Sequence, residues 1–299
     1  MLPLAMAGGI LFHSVIGYLS PLSPYLIGLM LFFTYCRLNP QEFRINRLSI
    51  LLIIIQLSGS LTLYLLLRPF NEVLAQAAFI CFFCPTATAA PVITGMLGGN
   101  ITKLAAFSLL SNIIVAIFAP VIFTFIGAHG DSNSLSFLHI TGLISLKVIP
   151  LILGPLFLAV ILQRISPKGH SYISAHQDIS FYIWAISLFI VVGNAVSYII
   201  NHLTQYPNEG ITMLNIAFIS MVCCCSQFYI GRKIGNYCGD KIAGAQGLGQ
   251  KNTVLAIWMS LSFMNPLSSV GPAAYIVWQN TINSIQLWIR NNKSKNAPT

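Results

Sequence analysis

A chain of 299 residues in which 56% are hydrophobic and only 7% charged cannot keep a solvated surface as a soluble domain, so its natural solvent is lipid. The net charge of +9 does not point to nucleic acid, because the basic residues form neither a patch nor a stripe and fall instead in alternate loops. A span needs roughly 20 apolar residues to cross a core of about 30 Å, so this length holds about ten spans in one helical bundle rather than a row of soluble domains.

Hydrophobic runs broken by Gly, Pro or charge predict spans at 2–19, 23–36, 47–67, 73–98, 102–127, 141–163, 177–201, 213–231, 242–264 and 267–289. The first carries His13, read as a packed or interfacial histidine. The third carries Gln56, and the fifth carries Ser108 and Asn112. The fourth contains Cys84-Pro85-Thr86-Ala87-Thr88-Ala89-Ala90-Pro91, where two prolines six residues apart remove backbone hydrogen bonds at mid-membrane and favour a break. A polar break at 127–139 then divides the chain into two sets of five spans, 1–127 and 128–299. An odd number per set places the two in opposite orientations, as inverted-repeat transporters require.

Lys147, about six residues into the sixth span, is close enough to the surface to snorkel. A second polar break, 163–177, reads as a loop. The ninth span contains Gly244-Ala245-Gln246-Gly247-Leu248-Gly249-Gln250-Lys251-Asn252, with glycines and four polar side chains at the depth of the break in the fourth. Irregular backbone at membrane depth is tolerated where protein or a water-filled cavity satisfies it, so paired breaks in matching positions point to a midplane binding site. The bland alternative is that Pro and Gly kink these helices for packing.

Loop charge tests the count. With a cytoplasmic N-terminus, the inside segments hold Arg37, Arg44, Arg47, Lys103, Arg164, Lys168, Arg232, Lys233, Lys241, Arg290, Lys293 and Lys295, twelve of the fifteen basic residues. Outside loops hold Arg68, and Lys147 and Lys251 lie within spans. The positive-inside rule therefore predicts a multi-pass protein of the plasma membrane, the inner membrane of a bacterium, with both termini cytoplasmic and no cleavable signal peptide. The seven cysteines, three adjacent at 223–225, fall in apolar stretches and read as reduced packing residues. Cys81-Phe-Phe-Cys84 has redox or metal spacing but no paired second motif.

In Cys84-Pro85-Thr86-Ala87-Thr88-Ala89-Ala90, in Gly249-Gln250-Lys251-Asn252, and from Pro266 through Pro272 to Val277-Trp278-Gln279-Asn280, the chain resembles the bile acid:sodium symporter family, as a bacterial homologue of the sodium/bile acid cotransporters. The resemblance implies an all-α membrane protein of two inverted five-helix repeats, with panel and core domains, crossing broken helices four and nine, and alternating access for an organic anion. It also implies sodium sites, and there the chain departs. The family's Ser-Asn pair in the fourth span corresponds to Ala90-Pro91. Its pattern Glu-x-Gly-x-Gln-Asn corresponds to Gly247-Leu248-Gly249-Gln250-Lys251-Asn252, so the ligand Glu has become Gly247 and the ligand Gln has become Lys251. Gln56, Ser108 and Asn112 survive at other family positions. A gapped register pairing Gln246 and Gln250 with the two ligands misaligns the glycine.

All six acidic residues, Glu42, Glu72, Asp131, Asp178, Glu209 and Asp240, fall in loops or at span ends. Sodium sites built beside a lysine ammonium with no carboxylate carry uncompensated repulsion, so family-type sodium symport is doubtful and no cofactor is expected. An intramembrane lysine is a functional-site hypothesis, costing about 2.5–3.5 kcal/mol on insertion scales. The reading is that the Lys251 ammonium stands where a sodium ion would otherwise sit, held by Gln250, Asn252, Ser108, Asn112 and Gln56. By exchanging its proton it would couple transport to protons; alternatively it pairs with the substrate's anionic group, in a site shared with Gln246, Thr86, Thr88 and Asn280.

The expected function is secondary active transport of an organic anion, bile-acid-like or a smaller carboxylate or sulfonate, by a protein that is expected to be monomeric and not an enzyme. Alternatives are a proton-coupled or uncoupled facilitator, a channel, a sensor, or a membrane-embedded enzyme. The chain offers the last of these no aspartate-rich pair and no His-Glu-x-x-His.

Overall fold

The computed structural model describes residues 2–37, 45–87, 89–127, 137–205 and 209–295, and these are almost entirely helical. Chain order is α1 (Leu2–Leu11), α2 (His13–Ile16), a 3-10 turn (Gly17–Leu22), α3 (Ser23–Cys36), α4 (Arg47–Leu67), α5 (Glu72–Phe83), α6 (Ala90–Leu97), α7 (Ile101–Ile126), α8 (Phe137–Ile165), α9 (Pro167–Ala175), α10 (Gln177–Gln205), α11 (Gly210–Tyr237), α12 (Lys241–Gly249), α13 (Thr253–Phe263), a 3-10 turn (Pro266–Ser269) and α14 (Val270–Lys295). Six helical runs among the described residues are long and apolar enough to cross a membrane: His13–Cys36, Arg47–Leu67, Ile101–Ile126, Phe137–Ile165, Tyr182–Asn201 and Gly210–Tyr237.

The helices start where short polar side chains can take an orphan N–H. Asn46 accepts from Ser49 N, Asn71 from Leu74 N, Asn100 from Lys103 N, and Asp240 from both Ile242 N and Ala243 N. Asn252 does the same for Leu255 N, although it lies in the middle of an apolar stretch. An N-cap at that place restarts a helix inside the bundle.

Two regions differ from the sequence expectation. The stretch read as spans 2–19 and 23–36 instead divides at Leu11, and His13–Cys36 forms one 24-residue helical run. Pro21 is accommodated because it lies in the 3-10 turn, so the run continues past it. The break at 163–177 is not a loop: it holds α9, which Ser166 caps at Gly169 N and Pro167 opens from the first helical position, too short and polar to register as a span.

Two sets of helices share one hydrophobic core and are joined by α7 on α8 and by α10 on α13. α3 lies against α8 and α10, and α10 also carries α1 and α2. In the other set α5 packs on α4, α11 and α14, α7 on α4, and α11 on α12 and α14. The closest approach is between α11 and α12. A Cβ on Gly231 would overlap the carbonyl of Gly244, and one on Gly244 would overlap that of Gly231. Gly235 completes this small-residue seam, the device by which helices approach without a hydrophobic driving force.

Hydrogen bonds pin the helix ends. At one end Gln76 Nε2 donates to Ile126 O at 2.7 Å, while Gln76 Oε1 accepts from Asn265 N at 2.8 Å. At the opposite end Asn100 N donates to Asp240 Oδ2 at 2.7 Å, and Arg47 Nη2 donates to the Tyr237 hydroxyl at 2.6 Å. Arg290 lies over Gly98, whose φ of 80° ends α6 in the left-handed region.

Candidate functional site

Between α5 and α6, and again between α12 and α13, the chain leaves the helix for a few residues, and the two interruptions meet. Thr86 and Lys251 form an antiparallel bridge. Asn252 N donates to Pro85 O at 2.8 Å, and Ala87 N donates to Gln250 O at 3.1 Å. Pro85 cannot donate and forces extended backbone before it, while Gln250 is extended and Asn252 caps α13. Each segment therefore offers the other the strand-like edge its own helix cannot use.

The accounting of exposed carbonyls is nearly complete. α5 ends in Cys81 O, Phe82 O, Phe83 O and Cys84 O. Gln227 Nε2 reaches the first at 3.1 Å, Lys251 Nζ the second at 2.8 Å, and Gln56 Nε2 the last two at 2.6 and 3.3 Å. On α12 the Thr86 hydroxyl donates to Gly247 O and the Tyr275 hydroxyl to Gly249 O, both at 2.8 Å. Gln279 Oε1 accepts from Lys251 N at 2.9 Å, and the Cys84 thiol donates to Asn252 O at 3.1 Å. Buried backbone groups at membrane depth must be satisfied internally, and here side chains from α4, α11 and α14 do it.

Lys251 is 1% exposed. Among the described residues the ion pair is Arg68 with Glu72, at a helix end, so no carboxylate neutralises the buried ammonium. What faces it is the C-terminus of α5, where aligned peptide dipoles place partial negative charge, together with the Phe82 ring, whose centroid is 6.0 Å from Nζ. Cys84, Cys81, Cys223 and Cys224 are the titratable side chains around it, all free thiols. Among the described residues no group of three or more His, Cys, Asp or Glu is placed to hold a metal.

Thr86, Gln250, Lys251, Asn252 and Gly247 come together at the crossing, and Gln246 adjoins it through a hydrogen bond from Gln250 Nε2. Thr88 lies outside the described residues. Asn280 donates to Ile276 O of its own helix, away from Lys251. Ala90 is buried beside Leu52 and Phe107, and Pro91 sits in the first turn of α6.

The ammonium's hydrogen-bond acceptor is also different from expectation. It is the carbonyl of Phe82 rather than Gln250, Asn252, Ser108, Asn112 or Gln56. Gln56 is committed to α5 and accepts from Ser111 Oγ at 2.9 Å, while Asn112 Nδ2 donates to Ser108 O at 2.8 Å. A Cβ on Gly247 would meet Phe107, Leu52 and Leu104, so the surroundings of that position are apolar. Gln227, Tyr275 and Gln279 were missed as site residues. Gln227 carried a signal as an amide deep in an apolar span, whereas Tyr275 looked like any core aromatic.

The arrangement holds one lysine amine inside the bundle, at a crossing braced by protein groups alone. Ala87 is half-buried and Ala89 exposed, so the start of α6 borders open space. No family model matches the chain, and no curated protein matches it. The likeness to the bile acid:sodium symporter family accordingly rests on the motifs themselves.

Proposed function

We propose that the protein is a secondary transporter of an organic anion, a bile-acid-like molecule or a smaller carboxylate or sulfonate, working by alternating access in the plasma membrane, with both termini cytoplasmic. α5–α6 and α12–α13 are then the interrupted fourth and ninth of ten spans, in two inverted repeats over 1–127 and 128–299. The α1–α3, α8 and α10 set is the panel, and the remainder, α9 aside, is the core. Supporting this are the helix ends: 98–100, 238–240, Arg47 and Arg290 share one end, and Gln76, Ile126 and Asn265 the other, as the alternate-loop topology demands.

The observation that carries the reading is the fully buried, carboxylate-free ammonium of Lys251 at the end of α5. It takes the part of a sodium ion as a tethered cation, and its positive field favours an anionic group near the crossing. Polar and ionisable groups in membrane spans mark substrate and ion pathways. Because the ammonium has a neutral acceptor and no acid partner, a proton-coupled or uncoupled facilitator is the second reading.

A thermal-shift screen of carboxylates and sulfonates, with and without sodium, tests it, because a ligand bound to the folded state alone raises apparent stability. An anion that stabilises the native protein equally in sodium and choline, and does not stabilise Lys251→Met, is expected. Stabilisation by cations or neutral solutes alone would count against an anion carrier.

A further inference from the structure

α6, α12 and α14 meet along a strip of uncharged polar side chains that extends beyond the crossing. Gln279 on α14 holds the Lys251 peptide, Gln250 donates to Gln246 on α12, and Gln246 Nε2 donates to Gln286 Oε1 on α14 at 2.8 Å. Gln279, Asn283, Gln286 and Arg290 follow at spacings of four, three and four, so they share one face of α14. α12 runs antiparallel beside it, from Lys241 near the Gly98 end to Gln250 at the crossing. α6 runs with α14, from the crossing to Gly98 under Arg290, and Thr94 and Ile242 both lie against Gly99. Thr94 therefore sits on the α12 side of α6, one turn short of Arg290, at about the level of Gln246 and Gln286.

Two oxygens of this strip have no hydrogen-bond partner: Thr94 Oγ1 and Asn283 Oδ1. Thr94 is fully buried and Asn283 is 7% exposed. A helical threonine can bond its own preceding turn, and a buried asparagine oxygen in an apolar bundle is costly unless something donates to it. The amide nitrogens of Gln246, Gln250 and Gln279 are engaged with Gln286, Gln246 and the Lys251 carbonyl, which leaves these two oxygens for an uncharged donor from solution. Water fits: short of Arg290 at the Gly98 end the lining is polar and uncharged, and it offers Thr94, Asn283 and the adjoining amides as partners.

We propose that α6, α12 and α14 enclose a narrow water-filled slot, ligated by Thr94 and Asn283, that leads from the face at Gly98 and Arg290 to the crossing at Gln250. Its use as an aqueous approach to the transport site rests on the transporter reading; its presence does not.

The experiment uses the full chain in liposomes. In a dry strip Thr94→Val removes an orphaned hydroxyl and raises Tm; in a hydrated one it removes a water ligand, lowers Tm by about 2–4 °C, and Thr94→Ser restores it. In a second measurement Cys225 and Cys238, the two cysteines that are not buried, are replaced by serine, and Thr94→Cys and Asn283→Cys are exposed to silver ion. Both should react, while Ile54→Cys and Leu61→Cys, on the exposed apolar face of α4, should not. A raised or unchanged Tm for Thr94→Val, silence of both strip cysteines, or equal reaction at all four positions overturns the slot. Absent anion flux with both strip results intact would instead sink the transporter reading.

Discussion

Lys251 and Phe82 stand 169 residues apart in the chain, and the ammonium of the first donates to the carbonyl of the second at 2.8 Å. That bond joins the only lysine buried among the described residues to the end of a helix, and it explains how an unpaired cation is tolerated inside the bundle. The charge is set against the negative end of the α5 dipole, and the carbonyl it meets would otherwise be an orphan.

Lys251→Met should leave Phe82 O without its donor at a cost of about 1–3 kcal/mol, and abolish anion flux. Lys251→Gln keeps a donor but not the charge. It should recover much of the stability while flux stays at background, so thermal unfolding and proteoliposome uptake on the same two variants separate bracing from anion attraction.

Gln56→Leu removes the donor shared by Phe83 O and Cys84 O and leaves Ser111 without its acceptor. Loss of about 2 kcal/mol or more is expected from leaving buried carbonyls unmet. Added sodium should not restore it, since the amide acts as a helix cap rather than an ion ligand; sodium-dependent recovery of Tm would contradict that role.

Tyr275→Phe deletes the hydroxyl that donates to Gly249 O and accepts from Gln227. The expected loss is about 1 kcal/mol, with faster hydrogen exchange concentrated in the backbone amides of residues 247–252. Exchange unchanged there would show that α12 ends without the tyrosine's help.

Gly244→Ala drives a methyl into the Gly231 carbonyl and should destabilise by about 1–3 kcal/mol, because backbone on both helices must move. Gly154→Ala in α8, with nothing within 4 Å of the new Cβ, should be neutral or slightly stabilising. Comparing their melting temperatures separates a packing requirement from a general aversion to alanine.

Much of the scaffold could be read from residue order, because lipid imposes a simple rule on composition. The long apolar runs of α4, α7 and α8 needed only their hydrophobicity and the Asn, Gly or charge that ends them. Pro85 and Pro91 lie where the chain passes from α5 to α6, and Gly247, Gly249 and Asn252 where it passes from α12 to α13. α9 was hidden because span detection ignores a short polar helix, and the His13–Cys36 run was hidden because Pro21 reads as a stop unless a 3-10 turn absorbs it. Within the site, Lys251 stood out as a charge in an apolar stretch. Its acceptor did not, since a backbone carbonyl has no signature in the side-chain alphabet, and the pairing of Gln56 with α5 depends on which helix faces which.

A tethered ammonium at the crossing would make sodium unnecessary. Uptake of a stabilising organic anion into proteoliposomes, measured at equal ionic strength in sodium chloride and in choline chloride, asks this directly. The same initial rate in both, falling to background in Lys251→Met, is predicted; uptake that requires sodium in the native protein would contradict it.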